Sequence, residues 1–196
     1  MYRLAKFAIP AMILGLLVLV SFALLSATSK GGSTDPVEKL ATGTLSKLDA
    51  GDRGRPASTA SFDDPDGNAI TLEAFEGKIV LMNFWATWCG PCEREMPSLA
   101  ALQSAKGSNK FEVIAISVDA EEDKDYARER LNELTGGVLD FYFAPPERWD
   151  IVYESGAKGF PTTVILDAEG KEIVRLAGEA DWASYEAAAL IDEITS

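Results

Sequence analysis

The feature that most constrains this chain is a nearly unbroken apolar run, "KIVLMNFWA", Lys78 to Ala86, followed within three residues by Cys89-Gly90-Pro91-Cys92. So short and so apolar a run, rich in Ile, Val and Leu, suits a strand buried on both faces, as in a parallel sheet. Pro91 suits a first helical turn, where its missing N–H is not needed. The pattern therefore predicts strand, tight loop and helix, with Cys89 at the helix N-terminus and Cys92 one turn further on. There, free N–H groups and the helix dipole stabilise a thiolate, and a C-x-x-C in this setting lowers the first cysteine's pKa.

These are the only two cysteines, and the chain has no histidine. A zinc site needs four ligands and cannot be completed from these cysteines alone, so no metal is expected there. A bridge closing so small a loop stabilises little as a purely structural disulfide. A peroxidatic P-x-x-x-T-x-x-C pattern also fails, since Met82 stands seven residues before Cys89. The 18 basic residues face 31 acidic ones, for a net charge of −13. Two of the basic residues, Arg3 and Lys6, precede the first apolar run, so the remainder is more acidic still. A body of that charge repels phosphate backbones, and no nucleic-acid partner is expected.

Phe7 to Ala27 is uncharged and dominated by Leu, Val, Ile and Ala. As a helix it would be about 31 Å long, close to a bilayer core of about 30 Å. Arg3 and Lys6 ahead of it favour a cytoplasmic N-terminus. The expectation is an uncleaved anchor over 7–27 in the inner membrane, with residues 1–6 cytoplasmic and the body exported, in a bacterium to the oxidising periplasm. A cleaved signal and a buried core helix are the alternatives. Residues 28–57 read as a polar linker holding one helix, Val37 to Leu48, where Val37, Leu40, Thr44, Leu45 and Leu48 recur at helical spacing.

Residues 58–196 read as one domain. "STASFDDPDGNAITL" is a hairpin turning at Asp64–Asn68. The active-site strand is followed by a helix over 93–106, broken near Pro97, and by a buried strand over 111–119. A helix to Leu134, stopped by Gly136-Gly137, leads to the strand "VLDFYF" and the short helix "PERWDIVYESG". "TTVILDAEGKEIVRLAG" is two tightly joined antiparallel strands, and the last helix runs from Asp181 to about Ile194. Strands alternating with helices imply an α/β sandwich on a mixed sheet.

"FWATWCGPC" resembles the active-site signature of thioredoxin-like proteins, and "GFPTTVILDAEGK" resembles their cis-proline strand. The resemblance covers roughly 58–195 and implies a three-layer thioredoxin-like fold. It implies a cis Pro161 packed against the cysteines and a Phe160 whose backbone binds an extended substrate. Asn83 stands where thioredoxin carries a buried aspartate, and the region between 119 and 162 holds an extra helix and strand. Both features resemble the membrane-tethered TlpA/ResA/CcmG branch, which reduces disulfides outside the membrane during cytochrome maturation.

In that branch a glutamate three residues after the second cysteine assists proton transfer, and Glu95 holds that place; a solvated surface glutamate is the alternative. Trp88 is a candidate for shielding the sulfurs and touching partners, and Gly90 and Pro91 for close approach of a partner chain. Trp85, Phe84 and Trp182 are expected as packing residues. "AGEADWASYEAAALI" looks like the C-terminal end of the TlpA members associated with cytochrome oxidase assembly.

The resemblance thus implies a protein-disulfide reductase in which Cys89 attacks, Cys92 resolves and Glu95 handles the proton. No cofactor beyond the redox-active Cys89–Cys92 disulfide is expected. The implied partners are periplasmic disulfide-containing proteins, either copper-site assembly proteins or apocytochrome c, and a transmembrane thiol-type electron donor. A dithiol oxidant of the same fold and a Cu(I) carrier using both cysteines are the rival functions, although Met96 is the only other sulfur nearby.

Overall fold

In the computed structural model the described residues are 36–196. The run Phe7–Ala27, with Arg3 and Lys6 ahead of it, lies outside them. Among the described residues no helix is long and apolar enough to cross a membrane.

One mixed sheet organises these residues. Its strands are β1 (Leu48–Asp49), β2 (Phe62–Asp63), β3 (Ala69–Ile70), β4 (Ile79–Trp85), β5 (Phe111–Ser117), β6 (Phe141–Phe143), β7 (Thr162–Leu166) and β8 (Glu172–Ala177). They lie in the order β1-β8-β7-β4-β5-β6-β2-β3. The central strand β4 runs parallel to β5 and antiparallel to β7, and β5 runs parallel to β6. From Val80 to Trp85 every residue of β4 is buried, which is why its sequence is continuously apolar rather than alternating.

The helices are α1 (Pro36–Leu40), α2 (Gly90–Lys106), α3 (Lys124–Thr135), α4 (Asp150–Glu154) and α5 (Tyr185–Thr195). The expected hairpin is β2–β3, with the Asp64 carboxylate accepting from the N–H groups of Asp66 and Asn68. The inserted helix and strand are α3 and β6. Gly136 ends α3 in the left-handed region, at φ +63°.

Two expectations are corrected. The helix α2 is continuous through Pro97; the proline removes one i→i−4 bond without ending the helix. The helix expected over Val37–Leu48 stops at Leu40. Thr42 is extended and Gly43 has φ +56°, so the chain turns instead of continuing. Leu45 still reaches the core, in a single 3₁₀ turn, and Leu48 pairs with Leu176 across β1 and β8. The apolar spacing served burial, not one helix. Asp35–Ser196 forms one compact unit, so the second half of the expected linker packs on the domain.

A partly buried ion cluster ties the start of α3 and the turn after β6 to the hairpin. Arg148 donates to both oxygens of Asp63, at 2.7 and 2.9 Å, and Lys124 Nζ donates to one of them at 2.9 Å. The Arg148 guanidinium, helped by Lys124, holds the Asp63 carboxyl down at about 2 despite its burial. A carboxyl whose folded value lies below its unfolded value stabilises the fold above the unfolded value. That contribution is lost as pH falls through the folded value. Acidification from pH 4 to 2 should therefore remove about 2 kcal/mol that depends on Asp63. Urea titrations across that range check this, and Asp63→Asn should lack the acid-dependent part.

Candidate active site

The active-site loop is anchored from below before it reaches the sulfurs. Beyond β5, the buried carboxylate of Asp119 accepts from the Thr87 N–H, at 3.1 and 3.2 Å, and from the Thr87 hydroxyl at 2.7 Å. Ser117 Oγ donates to the same carboxylate at 2.8 Å. The Cys89 N–H donates to the Ala86 carbonyl at 3.1 Å. These bonds turn the chain out of β4 and deliver Cys89 to the N-cap of α2, with Pro91 in the first turn.

Cys89 and Cys92 form a disulfide with Cα atoms 5.2 Å apart. The Cys92 N–H donates to Cys89 Sγ at 3.3 Å, so the helix N-terminus presents a donor to that sulfur. The two cysteines are not equivalent, since Cys89 keeps 7% exposure and Cys92 none. Only Cys89 can be reached by another chain.

The surroundings of Cys89 come from two loops. The Phe160–Pro161 peptide is cis, as the resemblance implied. Trp88, 61% exposed, meets the Phe160 ring edge to face at 5.7 Å, which joins the cysteine loop to the proline loop. Phe160 in turn meets Trp149 at 5.6 Å. Gly90 and Pro91 are exposed. A Cβ at Gly90 would meet only Arg94, at 3.7 Å, so nothing within the chain requires glycine there.

Glu95 is not a surface residue. It is 1% exposed, and its carboxylate is gripped by three neutral donors from two elements. Asn83 Nδ2, on β4, donates to Oε1 at 2.7 Å. The Ala180 N–H and the Trp182 indole N–H, both on the loop before α5, donate to Oε2 at 3.2 and 3.3 Å. Asn83 Nδ2 also reaches Thr163 Oγ1 on β7 at 2.9 Å. Burial pushes the carboxyl up to about 7, and the three hydrogen bonds only partly oppose it. A carboxyl titrating near neutrality can both take and give a proton at working pH.

Two members of this cage were not legible as functional residues. Asn83 read as the absence of an acid, and Trp182 read as packing. Trp182 is fully buried, but it also bonds Glu95. The available signal was the lone amide inside "IVLMNFW": a polar side chain in a strand buried on both faces needs a polar partner.

The Redoxin family profile matches residues 49–190. The thiol-disulfide oxidoreductase ResA of Bacillus cereus is 34% identical over 137 residues, covering 70% of this chain and 76% of that protein. The thioredoxin-like protein YneN of Bacillus subtilis is 34% identical over 131 residues, covering 65% of this chain and 73% of that one. Among solved structures, a putative thiol:disulfide interchange protein DsbE from Chlorobium tepidum shares the fold. Its TM-score is 0.62 at 24% identity, over 74% of this chain and 99% of its own. The match across β1 to α5, around a cysteine pair on the first turn of α2, shows that the chain belongs to the redoxin family, as a thioredoxin-like thiol-disulfide oxidoreductase of the TlpA/ResA/CcmG type.

Proposed function

We propose that this protein is a membrane-anchored reductant of partner-protein disulfides, working in the periplasm during the assembly of cytochromes or cytochrome oxidase. The observation that carries the chemistry is the buried Glu95 carboxyl on α2, one helical turn behind the sealed Cys92. In the reduced protein the Cys89 thiolate attacks one sulfur of the partner's disulfide. A Cys89–partner bond forms, the partner's S–S bond breaks, and the departing thiolate takes a proton from water. The Glu95 carboxylate accepts the Cys92 proton, and the Cys92 thiolate attacks Cys89 Sγ. That closes Cys89–Cys92 and releases the second partner thiolate, which is protonated in turn. Two electrons pass to the partner, and a dithiol donor across the membrane restores them. No cofactor beyond the disulfide enters these steps.

Trp88, Phe160 and the exposed Gly90-Pro91 corner offer the partner a surface beside Cys89, and the buried cis Pro161 fixes the backbone that presents Phe160. The membrane anchor is supported by the uncharged run Phe7–Ala27. The reducing direction is supported by the Gly-Pro dipeptide shared with thioredoxin, and the cytochrome role by the TlpA-like "AGEADWAS". Equilibration of the Cys89–Cys92 couple against glutathione or dithiothreitol tests the direction. A reduction potential near −270 mV, about that of thioredoxin, is expected. A value above about −150 mV makes the protein an oxidant and reverses the assignment.

A further inference from the structure

Two of the three donors on Glu95 belong to one loop, Gly178–Ser184, and that loop is held from outside by residues that precede the sheet's core. Its first residue, Gly178, adopts φ +101° and donates to the Pro161 carbonyl at 2.8 Å. The strand before it, β8, is paired along its outer edge by β1, Leu48 to Leu176 and Asp49 to Arg175. The helix after it, α5, carries α1 packed against it. Within the loop, the Asp181 N–H donates to Thr44 Oγ1 at 3.2 Å. Leu45, the next residue, is fully buried in the core.

We propose that Pro36–Asp49 is a brace that positions the Gly178–Trp182 loop on the Glu95 carboxylate, with Thr44 and Leu45 as its positioning residues. This rests on the reading of Glu95 as the proton carrier.

The sign follows from the forces on the carboxyl. Burial is the dominant one, so a loosened loop admits water and its donors are replaced by water's own. The titration then moves down, towards the ordinary carboxylate range. The charged neighbours are Lys47 on the brace, whose Nζ lies beside Gly178, and Arg94 on α2 and Glu179 on the loop, which pair with each other at 2.6 Å. Asp181 lies on the loop as well, its carboxylate accepting from the Ala183 N–H. From β4 and β7 only the uncharged Asn83 and Thr163 reach the site. Neither variant below alters any of these groups.

The test uses the full chain with Thr44→Val and Leu45→Ala. The Glu95 carboxyl is followed by carbon NMR of the oxidised protein, and the pH profile of disulfide exchange is recorded in parallel. Both midpoints should fall, by about half a unit to one unit, more for Leu45→Ala. Thr44→Ser should keep the wild-type values. Leu131→Ala, an equally buried site on α3, should leave the Glu95 titration in place and so separates bracing from general weakening. Thr44→Val, a surface change, keeps the test available should Leu45→Ala fail to fold. A Glu95 midpoint that stays put or rises in the folded variants overturns the brace. A fallen Glu95 midpoint with an unmoved exchange profile upholds the brace and removes Glu95 from the proton path.

Discussion

Cys92→Ser should turn the protein into a covalent trap for its partners. The variant keeps Cys89 at the α2 N-cap, where it attacks a partner disulfide as before. What it lacks is the buried thiol that resolves the adduct, so the mixed disulfide persists until an external thiol cleaves it. Water does not cleave a disulfide, so only an added thiol releases the adduct. Cys89→Ser, by contrast, should trap nothing, since the fully buried Cys92 cannot meet a partner. Mass spectrometry of reducible adducts reads the result. The TlpA-like C-terminus favours copper-site assembly proteins among the captured partners, with apocytochrome c as the second expectation. Adducts formed equally by Cys89→Ser would contradict the assigned order of attack.

Glu95→Gln should slow exchange and stabilise the fold at the same time. In the proposed mechanism the carboxylate form accepts the Cys92 proton, so the rate should rise as pH passes through about 7. The variant cannot take that proton, and its rate should be lower by about 100-fold with no inflection there.

The stability effect has the opposite sign. The Glu95 folded value, about 7, lies above its ordinary 4.5, so the unfolded chain ionises first. Wild-type stability should therefore fall as pH rises from about 4.5 to about 7, by about 3 kcal/mol in total, and stay level above that. The variant should not show this fall, leaving it the more stable protein at pH 8. Its fold should survive because the Asn83 amide can rotate to offer Oδ1, which has no partner in the wild type, to the new amide group. Denaturant titrations at pH 5 and pH 8, with exchange rates over the same range, check both effects. An unchanged rate–pH profile would leave Glu95 with a structural role only.

The parts of this molecule that were legible beforehand are those encoded locally. The apolar run of β4, the Cys-Gly-Pro-Cys corner, the Asp64–Asn68 turn and the tight β7–β8 connection each carry their signal within a few residues. The segment before the domain misled because helical spacing is also what burial at intervals produces. Leu45 and Leu48 satisfy it from a 3₁₀ turn and an edge strand.

The Glu95 cage and the Asp63 cluster were hidden for a different reason. Trp182 and Ala180 lie 87 and 85 positions from Glu95, and Arg148 lies 85 from Asp63. Nothing local announces such pairs, since the topology that brings them together is itself the outcome of folding. The position of Glu95 could be taken from a family resemblance. Its burial and near-neutral titration could not, because they depend on a loop at the other end of the chain.

The proposed reductant role requires that Cys89 and Cys92 work as a reduced pair that passes electrons to partner disulfides. Its most direct test is the state of that pair in growing cells, fixed by acid quenching and read by the mass shift after thiol alkylation. A predominantly reduced pair is expected, shifting to the disulfide when the transmembrane thiol donor is removed. A pair that is already fully oxidised, and indifferent to loss of the donor, would contradict it.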